Sequence, residues 1–218
     1  MILKKNKNNN NNMKNYTQNW NQLFIQNTEQ FLNQKFDLCL EIGAFEGLTS
    51  NYISDNLLSE NGKLICVDPL TDVYLNDNLS EIDKIKNNTD FHYFKDQYNR
   101  FCNNVREHLD SNKIDLIREL SVDIFPELIE KYENRFDFIY IDGDHRPEGV
   151  YIDAINSFKL CKKDGFILFD DYLWYDTGVG IDRFLNEYSG RYELLIKEYQ
   201  ILIKKLNAYR KHDTHLKL

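Results

Sequence analysis

Four aspartates and one histidine carry the densest chemistry in this chain. Asp142, Asp144 and His145 fall in "YIDGDHRPEG", and Asp170 and Asp171 in "FILFDDYLW". Each group directly follows a short apolar run. If those runs are neighbouring strands, Asp142, Asp170 and Asp171 converge on one point. Unneutralised, such carboxylates raise one another's pKa and cost stability. A hard divalent cation, Mg²⁺ or similar, suits an oxygen-rich site of this kind and keeps waters that a substrate can displace. The competing reading has these acids cap helices or pair with Lys162, Lys163 or Arg183. His145, with an imidazole pKa near neutrality, is a candidate general base, or else a residue that caps the next helix or fixes Asp142. Asp144 is the second candidate base.

A different chemistry opens the chain's first regular segment. In "EIGAFEGLTS" (41–50), Gly43 and Gly47 stand four residues apart between an apolar run and a helical pattern. Phe45 occupies the place where a dinucleotide fingerprint has its middle glycine, so the loop suits a nucleoside that lacks a pyrophosphate. Asp68 ends the next apolar run, 25 residues after Gly43, where an acid can accept both hydroxyls of a ribose. An Asp-Pro turn is the plainer reading of the same residue.

The elements that must position these groups are short apolar runs alternating with amphipathic segments. The runs are "LCLEI" (38–42), "LICV" (64–67), "IDLI" (114–117), "FDFIYI" (136–141) and "FILF" (166–169). Largely unbroken by polar residues, they read as strands covered on both faces. Helical spacing recurs in Trp20, Leu23, Phe24 and Phe31, in Val122, Phe125, Leu128, Ile129 and Tyr132, in Ile152, Ile155 and Phe158, and in Ile181, Phe184, Leu185 and Tyr188. Strand–helix alternation predicts an α/β fold, a doubly wound, mostly parallel sheet. "RYELLIKEYQILIKKLNAY" has no room for a crossover helix and predicts a C-terminal antiparallel strand pair. Ligands of such sheets sit at the carboxyl ends of the strands, where Glu41–Gly47, Asp68, Ser121, Asp142–His145 and Asp170–Asp171 fall.

"EIGAFEGLTS", "CVDPL" and "FDFIYIDGDHRPEGVYIDAINSFKLCKKDGFILFDDYLW" are similar to the motifs of class I S-adenosylmethionine-dependent methyltransferases, over roughly residues 37–190. The resemblance implies a Rossmann-like fold, with Glu41, Gly43 and Gly47 at the methionine moiety and Asp68 at the ribose. Ser121 and Val122 would lie near the adenine, and Ala44 and Asp142 complete the implied cofactor-binding set. The strand-end acids resemble those of metal-dependent O-methyltransferases of the catechol, caffeoyl-CoA and macrolide-sugar types. That likeness implies Asp142, Asp170 and Asp171 as Mg²⁺ ligands, and His145 aligns with a lysine of the caffeoyl-type motif. Asp171, where the catechol and caffeoyl types carry Asn, points towards a sugar, sugar nucleotide or other vicinal diol as acceptor. Arg146-Pro147 departs from the aromatic residue usual after the histidine. Relatives of this kind are often homodimers.

Bulk composition sets the outer limits. At 218 residues, with 14 Phe, 14 Tyr and 2 Trp, the chain is expected to form one domain, residues 16–218, after an Asn-rich disordered tail at 1–15. A net charge of −8 argues against a nucleic-acid or anionic-membrane partner. Cys39, Cys66, Cys102 and Cys161 lack metal-finger or redox spacing and read as reduced thiols of a cytoplasmic protein. No signal-like or membrane-spanning apolar stretch is present. His92, His108, His212 and His215 read as surface or tail residues. Tyr172, Trp174 and Tyr175 are expected to flank the acceptor or simply to pack, and residues 69–90 to form a lid. The rival functions are a metal-independent methyltransferase acting on RNA or protein, a nicotinamide oxidoreductase, and a non-catalytic nucleoside-binding module.

Overall fold

The computed structural model describes residues 14–70 and 96–206. The expected tail up to residue 13, the lid residues 71–90, His92, His212 and His215 lie outside the described residues. Lys14 and Asn15, placed in the tail by their composition, hydrogen bond to Asn51 and Asn104.

Seven strands form one sheet: β1 (Phe36–Ile42), β2 (Leu58–Val67), β3 (Ile114–Ile117), β4 (Phe136–Ile141), β5 (Cys161–Phe169), β6 (Tyr192–Lys197) and β7 (Ile201–Lys205). Their order is β3-β2-β1-β4-β5-β7-β6. The first five pair in parallel, and β7 runs antiparallel between β5 and β6. This is the expected doubly wound sheet with its C-terminal antiparallel pair. The order reverses between β1 and β4, so a crevice opens at their carboxyl ends. β3 and β4 have the expected bounds, whereas β2 and β5 begin six and five residues before "LICV" and "FILF". Those extensions carry polar residues such as Glu60 and Lys162, and they pair beyond a register shift in their neighbours, so apolar pattern does not reveal them.

Alternation along the strands divides the core. Leu40, Ile42, Ile139, Ile141, Ile167 and Phe169 face one side, against α5 (Ser121–Tyr132), α6 (Pro147–Leu160) and α7 (Tyr175–Glu187). Cys39, Cys66, Phe138, Tyr140 and Leu168 face the other. There they meet α1 (Gln22–Thr28), α2 (Leu48–Tyr52) with its π-helical continuation Ile53–Leu57, and α3 (Gln97–Asn104). A short α4 (Arg106–Asp110) leads into β3. The first helix is shorter than its periodicity predicts. Phe24 and Phe31 are buried as expected, but Trp20 precedes α1, is 73 % exposed and stacks on Phe45.

Phe138 centres the second layer, with ring contacts to Phe24, Phe31 and Phe36. It is fully buried. Phe138→Ala should therefore cost about 3–5 kcal/mol of stability in urea unfolding, because packed neighbours cannot collapse into the space left.

Candidate functional site

The glycine loop leaves β1 at its carboxyl end and turns into α2. Gly43 and Gly47 both have positive φ, 84° and 78°. A Cβ at Gly43 would fall 1.9 Å from the carbonyl oxygen of Asp142, so only glycine lets the loop pass that close to the end of β4. At Gly47 the obstacle is Val105, 2.5 Å away. Ala44 is buried beneath the loop.

Two acids secure this loop from below. Asp68 Oδ2 accepts the amides of Ala44 (2.8 Å) and Phe45 (2.9 Å), and Oδ1 accepts that of Leu70 (2.7 Å). A carboxylate offers about four acceptor positions, and the backbone takes three of them here. Burial raises the Asp68 pKa, which the three amides oppose. A vicinal diol expected on this residue therefore has one open position, unless a loop amide yields. Glu41 is wholly buried, with Oε2 accepting from the Ser50 hydroxyl (2.5 Å) and the Cys66 thiol (3.3 Å). Its Oε1 has no partner, and burial pushes the carboxyl up to about 8 despite those two bonds.

The strand-end acids meet as the spacing implies, with one exchange. Asp142, His145 and Asp171 offer ligand atoms that all lie within 4.8 Å of one another, the one such group among the described residues. His145 Nε2 is 2.7 Å from Asp171 Oδ2 and 3.6 Å from Asp142 Oδ1. Asp170, expected as a third ligand, turns instead to the Tyr140 hydroxyl and the amide of Asp171 (2.8 Å). It stays one hydroxyl away, since Tyr140 also reaches Asp142 Oδ2 at 3.2 Å. Asp171 sits at φ 52°, and its other oxygen accepts from Tyr199 at 2.5 Å.

Charge in this cluster is unbalanced. Desolvation pushes Asp142 up to about 7, partly relieved by His145. Desolvation also works against a charged His145, but the hydrogen bonds and charges of Asp142 and Asp171 outweigh it and push the imidazole up to about 10. In this arrangement His145 is the cation of the cluster. An imidazolium is no base, so a role in proton removal requires that other positive charge take over the two carboxylates. Asp144 is a weaker candidate base still. Its burial is outweighed by hydrogen bonds and charge from Arg146, which hold the carboxyl below the usual range.

Ser121 begins α5, and its hydroxyl donates to Asp153 Oδ1 (2.6 Å), while Val122 is half exposed. Trp174 lies 5.2 Å from the His145 ring, and Tyr175 is 85 % exposed beside it. His108, read as a surface residue, is instead buried against Asp55 (3.1 Å).

Several contributors escaped the sequence reading. Tyr199 and Gln200, from the turn between β6 and β7, contact Asp171 and Asp170. Glu46, buried in the glycine loop, takes the amide (2.6 Å) and hydroxyl (2.9 Å) of Thr17 and pairs with Arg100 at 3.1 Å. Asp153 lies mid-helix. The strand-end rule for parallel strands passes over a mid-helix acid and a hairpin turn, and Glu46, although within the Glu41–Gly47 strand end, takes its partners from distant segments. For the acids the one available signal was that they rarely sit unpaired in apolar surroundings.

A family described as a methyltransferase domain matches residues 40–172. The chain belongs to that family. It is 30 % identical over 145 residues to the uncharacterized protein R132 of Acanthamoeba polyphaga mimivirus, a match covering 65 % of this chain and 55 % of that one. The chain thus spans little more than half the length of this curated relative. Among solved structures, it is similar to an O-methyltransferase from Bacillus cereus in complex with SAH. That likeness has a TM-score of 0.58 at 18 % identity and covers 84 % of this chain and 77 % of that one. A putative rRNA-methylase from Clostridium thermocellum also has a TM-score of 0.58, at 13 % identity over 86 % and 96 % of the two chains. At these identities the likeness shows the fold alone.

The raised pKa of Glu41 has a measurable consequence. Its folded value of about 8 lies above the ordinary glutamate value of 4.5, so the fold favours the protonated form. The associated stability is complete below about pH 4.5 and is lost as pH rises through 8. The unaltered protein should lose on the order of 2 kcal/mol more than Glu41→Gln between pH 5 and pH 8 in urea unfolding. Equal losses would show that Glu41 is already ionised in the fold.

Proposed function

We propose that this methyltransferase-family protein transfers a methyl group from S-adenosylmethionine to a hydroxyl of a small molecule, aided by a divalent cation. The observation that carries the reading is the meeting of Asp142, Asp171 and His145 at the strand ends, directly against the glycine loop. The residues fit both groups. Glu41 Oε1 is a buried acceptor without a donor, as a site for the ammonium of an amino-acid moiety requires. The oxygens of Asp142 and Asp171, converging beside His145, suit a hard divalent cation. Support for the cofactor also comes from the Bacillus cereus neighbour, whose complex holds SAH.

Bound there, S-adenosylmethionine would supply an electrophilic methyl group and the cation would supply positive charge beside the acceptor. The chain's own part is alignment and proton removal. Gly43, Ala44 and Gly47 keep the loop's backbone close to the crevice, and Asp68 holds that backbone rigid. Asp142 and Asp171 direct negative charge at one point, where an acceptor hydroxyl would be lined up for in-line displacement. Relieved of those carboxylates, His145 is placed to take the hydroxyl proton. Trp174, packed against His145, offers an aromatic wall suited to the face of a sugar ring. The acidic balance of the chain weighs against an RNA acceptor. Four free cysteines suit the reducing cytoplasm.

Calorimetric titration of SAH with Mg²⁺ present should give a Kd on the order of micromolar, weakened about tenfold or more by Asp68→Ala. No binding by demonstrably folded protein would overturn the reading. Metal binding is tested separately with Mn²⁺, followed by electron paramagnetic resonance. Asp171→Ala should lower the affinity at least tenfold, and methyl transfer to vicinal-diol acceptors should stop in chelator. Transfer that persists in chelator would remove the cation from the mechanism while leaving the cofactor in place.

A further inference from the structure

β3 and β4 are separated in the sheet by β2 and β1, about 14 Å at the usual strand spacing. The chain nevertheless links the loops that follow them. Ser121, at the start of α5, donates its hydroxyl to Asp153 Oδ1 on α6 at 2.6 Å. Asp153 is only 1 % exposed, and its second oxygen is buried without a partner. A Cβ at Gly143 would stand 3.3 Å from that oxygen, so the backbone of the turn after β4 rests directly on the carboxyl. Burial pushes Asp153 up to about 7, and the hydrogen bond from Ser121 opposes the shift. The Asp144 backbone, in the turn after β4, opposes it too. A buried acid is costly, and neither the glycine loop nor the side chains of Asp142, His145 and Asp171 account for this one.

We propose that Asp153 is a positioning residue for the adenosine half of the cofactor: through Ser121 and the Gly143 turn, one buried carboxyl sets the spacing of two walls of the crevice. The inference rests on the cofactor reading above. It assigns Ser121 a different part from direct contact with the adenine, because its hydroxyl proton is already directed at Asp153. The carboxyl reaches ligand only by way of these two loops.

The test is a double-mutant cycle on Ser121→Ala and Asp153→Ala, read as the Kd of SAH and of 5′-methylthioadenosine, which lacks the amino-acid moiety. Each single variant should weaken both ligands about tenfold, and the double variant no further, because the two residues act as one unit. Asp153→Asn keeps an acceptor for Ser121 and should recover most of the affinity. Mn²⁺ affinity should stay within about twofold of the unaltered protein in every variant. Additive losses, unchanged affinity in folded variants, or loss of SAH but not of 5′-methylthioadenosine would each overturn the proposal. If Asp153→Ala does not fold, Ser121→Ala and Asp153→Asn decide between the same outcomes. Failure of the unaltered protein to bind SAH would overturn the cofactor reading and this inference with it; normal binding by that protein alongside indifferent variants would overturn this inference alone.

Discussion

Asp142 and Asp171 are drawn together by the parallel pairing of β4 and β5, and their mutual repulsion is the constraint to which the surrounding structure answers. Parallel register puts Ile141 level with Phe169, so the acids that follow the two strands leave the sheet side by side. The fold answers with donors. His145 supplies positive charge to both, Tyr140 bridges Asp142 and Asp170, and Tyr199 reaches over from the β6–β7 turn to Asp171. The C-terminal antiparallel pair thereby gains a role beyond closing the sheet. Its turn carries the donors that make the acidic edge tolerable.

The same edge carries a second kind of acid, held singly rather than clustered. Glu41, Asp68 and Asp153 each lie beneath a loop at the carboxyl end of a strand or behind it. Asp68 is satisfied by backbone amides, whereas Glu41 and Asp153 each retain one oxygen without a partner. Unmet acceptors of this sort cost free energy in the folded state. Their placement around one crevice, rather than scattered through the core, is what a site awaiting hydrogen-bond donors requires. The glycine loop is strapped from outside as well. Thr17 and Arg100 fix Glu46, Asn51 and Asn104 bind the segment before α1, and Trp20 stacks on Phe45. The loop is thus held from within by Asp68 and from without by the N-terminal segment, leaving its crevice-facing backbone little freedom to shift.

Family membership and geometry bear on different questions. The family match fixes the class of domain, and the solved neighbours that share its fold include both an O-methyltransferase and a putative rRNA-methylase. A common sheet leaves the acceptor to the loops and helix ends around it. In this chain those are the 142–147 turn, with Arg146 clamped on Asp144, and the exposed aromatic start of α7.

Much of this was legible before any coordinates. Largely apolar runs placed the five parallel strands, because a strand covered on both faces has few polar positions to spare. Gly43 and Gly47 marked the turn, since a side chain at either would combine positive φ with a clash, against Asp142 at the first and Val105 at the second. The acids at 68, 142, 170 and 171 were found by their places just past strands. Tertiary structure alone decided where those side chains point. Asp170 turns to Tyr140 and His145 enters the cluster in its place, because partners 30 and 26 residues distant in sequence outbid the local backbone geometry. Asp153 and Tyr199 could not be found by pattern. One lies within a helix and the other in a hairpin turn, and each acquires its part only when packing brings a distant donor or acceptor within hydrogen-bond reach. Local periodicity determines which face a residue occupies; the direction of a polar side chain beyond a strand's end is set by non-local partners.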